Sequence, residues 1–106
     1  MKLGIIINTS DHETVWNALR LGATAMDVGH HVTVFLLGAG VEIEGIEDQK
    51  FDVAGLLQKF KTRRVMPLGC STCMELRHRE PGMIVKSHLS DLVEIIASSD
   101  KVVTFG

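Results

Sequence analysis

The chain has no tyrosine, one tryptophan and four phenylalanines, too few aromatic faces to build a platform for stacked bases. It also lacks an excess of charge of either sign. Eleven Lys and Arg against thirteen Asp and Glu give a net charge of −2, so no global field draws it to nucleic acid or to anionic membrane. No apolar run is long enough to span a bilayer. The N-terminal run Leu3–Ile7 is shorter than a signal-peptide core, and no small-residue cleavage site follows it. These absences predict a cytoplasmic protein with no nucleic-acid partner and no membrane span. Cysteine is scarce too, with two in 106 residues. In a reducing compartment such a pair reads as catalytic or metal-binding rather than as a staple.

At 45% hydrophobic and 23% charged residues, the chain has the composition of one ordinary globular domain over residues 1–106. Lys2–Asn8 reads as a buried strand. Ser10 and Glu13 have capping-box spacing, with Asp11 and His12 in the first turn of a helix that runs to Asp27 and ends at Gly29. Gly22 inside that helix predicts close contact with a neighbour. Val32–Leu37 is a second strand, parallel to the first. Gly38–Lys50 reads as a long acidic loop whose Glu42, Glu44, Glu47 and Asp48 are solvated and unpaired, the kind of segment used for function or for an interface. A second helix spans Phe51–Thr62 and a third strand Val65–Leu68. Met83–Lys86 is a short strand. Ser87 or Ser90 then caps a helix with the apolar stripe Leu89, Leu92, Val93 and Ile96, and Val102–Phe105 ends the chain as a strand. The alternation predicts an α/β fold: a three-layer α/β/α single domain with a mostly parallel sheet of about five strands.

The chemistry concentrates in Val65–Arg79, VMPLGCSTCMELRHR. Cys70 and Cys73 fall where the third strand hands over to a helix, at the carboxyl edge of the sheet, where open α/β folds place their sites. Thr72 and Glu75 have capping-box spacing, which predicts Cys73 in the first helical turn and Cys70 just outside it as the more exposed thiol. A helix start and the nearby Arg77, His78 and Arg79 favour a thiolate. His12 lies at the same sheet edge and is a candidate to tune the thiol or a bound anion. A metal site is disfavoured, because one CxxC supplies two ligands and no second pair has the spacing of a structural zinc site. A thioredoxin-like dithiol follows an early strand of its fold, whereas this CxxC follows the third.

MKLGIIIN, the helix-to-strand run MDVGHHVTVFLLGAGV, the corner LGCSTCMELR and the tail SHLSDLVEIIASSDKVVTFG together resemble the DsrE/DsrF-like family of small sulfur-relay proteins, which includes YchN-like and TusBCD-type members. The resemblance covers essentially the whole chain. Its most specific combination is G-H-x-V-x-V-F-x-x-G-x-G-V followed by C-x-x-C-x-x-x-R. It implies an α/β/α domain, a homo-oligomer (trimer or hexamer), sulfur donor and acceptor proteins as partners, and a cysteine that carries sulfur as a persulfide without metal or cofactor. Members with one cysteine keep it at the position matching Cys70, seven residues before Arg77, so the resemblance favours Cys70 as the carrier with Cys73 in support. The family closes the following helix on an Arg-Gly step; here Arg77 is followed by His78. Two other readings of the same corner are a dithiol redox protein using Cys70 and Cys73, and a non-catalytic oligomeric binding module whose Gly38–Lys50 loop makes the subunit contact.

Overall fold

The computed structural model describes residues 1–106. Its elements follow in the order β1 (Lys2–Ile7), α1 (His12–Asp27), β2 (His31–Leu36), a 3₁₀ segment (Gly38–Gly45), α2 (Val53–Thr62), β3 (Leu68–Cys70), α3 (Ser71–Leu76), β4 (Val85–Ser87), α4 (Leu89–Ser98) and β5 (Lys101–Phe105). The sheet order is β4-β3-β2-β1-β5, and every neighbouring pair is parallel. Three connections step outward in one direction and the fourth returns past β1. Right-handed crossovers therefore put α1, α2 and α3 on one face of the sheet and α4 on the other.

The side chains agree with that division. Leu3, Ile5 and Ile7 of β1 and Val32, Val34 and Leu36 of β2 join Val15, Leu19, Leu57 and Phe60 in the larger core. Alternation along β2 turns Phe35 to the opposite face, where it meets Leu92 of α4 and Cys70. Gly22 presses α1 onto its neighbours: a Cβ there would lie 2.9 Å from Phe60 Cζ and 3.2 Å from Ile5 Cδ1. Asp27 at the end of α1 then pairs with Lys59 and Arg63 of α2.

Several boundaries differ from the sequence reading. The cap of α1 is Asp11 rather than Ser10, because its carboxylate accepts from both the amide (3.0 Å) and the hydroxyl (2.7 Å) of Thr14. β3 begins at Leu68 rather than Val65. Arg64 takes φ +61 and the Val65 amide bonds back to the Phe60 carbonyl, so the cap of α2 extends through Val65. Pro67 then has no N–H to give a ladder. α2 starts two residues late, at Val53, where Asp52 caps it through the Gly55 amide. β4 is displaced to Val85–Ser87.

The acidic stretch after β2 is not an open loop. Its first eight residues wind into the 3₁₀ segment and bury Gly40, Val41 and Ile43. Of its four carboxylates Glu47 alone is exposed and unpaired as expected, and the other three have partners. Asp48 meets His12 at 2.8 Å, Glu42 meets Arg77 at 3.8 Å and Glu44 accepts from the Met83 amide. The fourth helix is capped at His88, not at Ser87 or Ser90, and of its expected stripe only Leu92 is buried. Leu89, Val93 and Ile96 are 56%, 63% and 47% exposed. No helix is long and apolar enough to cross a membrane.

Candidate functional site

β3 and α3 join without a spacer, and the two cysteines sit on either side of the joint. Cys70 is the last residue of β3 and the N-cap of α3, with φ −56° and ψ 118°. The cap falls at Cys70, two residues before the Thr72 that Thr72–Glu75 spacing suggests, and no side chain supplies it. Thr72 is an exposed helical residue. Because Cys70 is thereby kept in strand geometry, the expected exposure of the thiols is inverted. Cys70 shares the strand alternation that points Leu68 toward α4, and its sulfur is packed among Phe35 and Leu92 with 4% of the residue exposed. Burial pushes the Cys70 thiol up from its usual value. The Cys73 amide partly offsets this, while the second thiol adds to the rise. Desolvation outweighs the partial charge of a helix only six residues long.

Cys73 is partly exposed and lies at the margin of both apolar clusters. Its Sγ accepts a hydrogen bond from the Gly38 amide at 3.3 Å. Arg77 stands one turn further on, but its guanidinium is drawn aside. Nη1 donates to the Cys73 carbonyl at 3.4 Å, and Nε faces Glu42 Oε1 at 3.8 Å. It orients the helix end rather than contacting sulfur. His12 is likewise engaged elsewhere, its Nδ1 being 2.8 Å from Asp48 Oδ2. That contact and the amides of Phe51 and Lys50 hold the Asp48 carboxyl below its usual range, the Phe51 amide contributing most.

The opposite wall is the start of α4. The Asp91 carboxylate accepts from the His88 amide (3.0 Å) and the Ser87 hydroxyl (2.8 Å), and Ser71 Oγ lies 3.1 Å from His88 Nδ1. These bonds fasten the first turn of α4 over Cys70, and the His88 amide chiefly lowers the Asp91 carboxyl. A lowered carboxyl supplies stability that is fully present above its unfolded value and is lost as pH falls through the folded one. The Asp91 contribution to the fastening of α4 is therefore lost in acid.

Two surface depressions of about 340 and 390 Å³ share Gly45 and Arg79, the first reaching Met74 of α3, and neither is lined by a cysteine. No three His, Cys, Asp or Glu side chains converge as a metal site. The Cys73 sulfur thus stands at a surface rather than in a chamber, with the buried Cys70 behind it, an arrangement suited to reaction with a group presented by another molecule. Gly38, Phe35 and Leu92 escaped the sequence reading. Gly38 was visible as a glycine closing an apolar strand, but nothing in residue order links it to a cysteine 35 positions away.

His78 resolves the departure after Arg77. It takes φ +54, the left-handed region that glycine occupies without steric cost. His78→Gly is expected to stabilise the fold by about 1 kcal/mol, a rise of roughly 4 °C in Tm by thermal melt. An unchanged or lower Tm would mean that the His78 side chain earns its place through contacts.

A family model described as the DsrE/DsrF-like family matches residues 1–105. The uncharacterized protein MJ0989 of Methanocaldococcus jannaschii is similar as well, 32% identical over a 116-residue alignment that covers 99% of this chain and 100% of that one.

Proposed function

The chain belongs to the DsrE/DsrF-like family, and from that premise we propose that it is a sulfur-relay protein whose carrier is Cys73, with Cys70 behind it as the resolving thiol. The observation that carries this reading is the pairing of a partly exposed sulfur, held by a peptide N–H and not enclosed by any cavity, with a buried second thiol three residues away. A carrier must meet the cysteine of a partner, so an open sulfur suits it better than a pocket.

In the loading step the Cys73 thiolate attacks the outer sulfur of a donor persulfide. The Cys73 Sγ–S bond forms, the donor S–S bond breaks, and the donor leaves as a thiolate. In the unloading step an acceptor thiolate attacks that outer sulfur and Cys73 departs as thiolate, so no oxidant or reductant is consumed. Where no acceptor is present, the Cys70 thiolate attacks Cys73 Sγ instead. A Cys70–Cys73 disulfide forms, sulfide leaves, and an external thiol must reduce the disulfide before the next cycle. The high-lying Cys70 thiol keeps this second route slow at neutral pH.

Incubation with a persulfide-loaded donor, followed by intact mass measurement without reductant, tests the proposal. One added sulfur that is lost on reduction supports it. A Cys70–Cys73 disulfide with no sulfur adduct under any donor would make the protein a dithiol redox protein, and neither product would leave a binding module.

The same reading includes assembly into a trimer or hexamer of this chain. The exposed stripe Leu89, Val93 and Ile96 on α4 supports it, being apolar where a lone helix face would be polar. Light scattering is expected to return an oligomer for the wild type and a monomer for Val93→Asp. A wild-type monomer would remove assembly from the proposal.

A further inference from the structure

Gly38 follows β2 at φ +53, a conformation in which its amide points across the sheet edge at Cys73 Sγ. The Asn8 carboxamide packs over its Cα from the neighbouring end of β1, and a Cβ at position 38 would lie 2.5 Å from Asn8 Oδ1. Two independent features, backbone sign and side-chain clearance, thus favour glycine here and hold one N–H on one sulfur. Apart from the neighbouring Cys70 thiol, the Gly38 N–H is the partner of Cys73 Sγ, and the cationic Arg77 turns away toward Glu42.

We infer that the Gly38 peptide N–H is a catalytic donor of the sulfur transfer, holding negative charge on Cys73 Sγ, and that Asn8 is the positioning residue that keeps it aimed. The inference rests on Cys73 being the carrier. The donor acts at both ends of the cycle. Before attack it favours the thiolate, and at unloading it stabilises the same thiolate as it departs from the outer sulfur.

Removing this N–H has a signature that packing damage lacks. Nucleophilicity of a thiolate falls with its basicity by an exponent of about 0.4–0.5. A donor whose loss lowers the thiolate population about tenfold therefore slows Cys73 only about threefold near neutral pH. At a pH high enough that the thiol is fully ionised with or without the donor, the same loss makes it about threefold faster.

The test changes the Leu37–Gly38 peptide bond to an ester, which deletes the N–H and leaves φ free. The chain can be assembled from two synthetic segments joined at Gly69–Cys70, because Cys70 supplies the ligation thiol. Iodoacetamide reacts with the folded protein at each pH, and peptide mass reads the rate at Cys73. The expected result is the crossover, slower at neutral pH and faster at high pH, with slower unloading to a thiol acceptor. Rates changed in one direction at every pH would assign Gly38 a structural role and overturn the inference. Asn8→Ala, which needs no synthesis, is expected to show the same crossover at smaller amplitude, and unaltered rates would remove Asn8 from it. Sulfur loading of the wild type is scored separately. A crossover without loading would sink the relay reading and reduce the Gly38 N–H to a stabiliser of the Cys73 thiolate with no transfer to catalyse, and loading without a crossover would overturn the donor assignment alone.

Discussion

Gly40→Ala is expected to lower stability by about 3 kcal/mol or more, a drop of roughly 12–20 °C in Tm for a chain of this size. The reason is backbone on backbone. A Cβ at position 40 would land on the Ile7 carbonyl oxygen, at the carboxyl end of β1, an interior strand of the sheet. A flexible side chain could swing away from such a contact, whereas a strand paired on both sides cannot. The 3₁₀ segment would have to lift instead, taking with it buried Val41 and Ile43 and the Gly38 amide that reaches Cys73. Thermal melting and alkylation at Cys73 should therefore change together. A melt within about 1 kcal/mol of wild type would show that the segment is softer than its packing suggests.

Leu92→Ala carries the second large effect. Removing a buried leucine side chain costs about 2–5 kcal/mol, and here it uncovers one particular group. Leu92 and Phe35 are the buried neighbours that enclose Cys70, so the substitution should raise alkylation of Cys70 about tenfold or more in the native state, where local opening controls access. Phe60→Ala supplies the control. It removes a comparable buried side chain from the other face of the sheet, and should lower Tm without selective gain at Cys70. Equal acceleration in both variants would mean that Cys70 reacts through global unfolding and that α4 is no lid over it.

The fold was largely legible because its strongest signals are periodic and local. The Ile-rich run of β1, the stripe of Val15, Leu19 and Ala23, and the helices between strands demanded parallel pairing whatever the tertiary detail, and all four pairings are parallel. What misled was chemistry that local spacing describes poorly. Asp11 and Ser10 both have capping geometry available, and only the double bond to Thr14 selects Asp11. The stripe of α4 has the period of a core helix, yet one helix must cover a whole sheet face, so Leu92 and its neighbours toward the sheet are used and Leu89 and Val93 are left over.

The candidate site was legible in position and illegible in polarity. The CxxC motif at a strand-to-helix joint marked the corner. The order of exposure within it depended on where the helix is capped, because a cap at Cys70 rather than Thr72 keeps Cys70 in the strand, facing inward, and leaves Cys73 at the rim. Arg77 had the spacing of a thiolate partner, but Glu42, 35 residues earlier, competes for it. Such long-range partners leave no trace in residue order.

The assignment of the carrier is tested most directly by intact mass spectrometry after incubation with polysulfide, without reductant, on the wild type, Cys70→Ser and Cys73→Ser. One sulfur that reductant removes should appear on the wild type and on Cys70→Ser, where it should persist longer because no resolving thiol can expel it as sulfide. Cys73→Ser should carry none. Sulfur on Cys73→Ser and none on Cys70→Ser would contradict the account, making the buried thiol the carrier and the opening of α4 its first step.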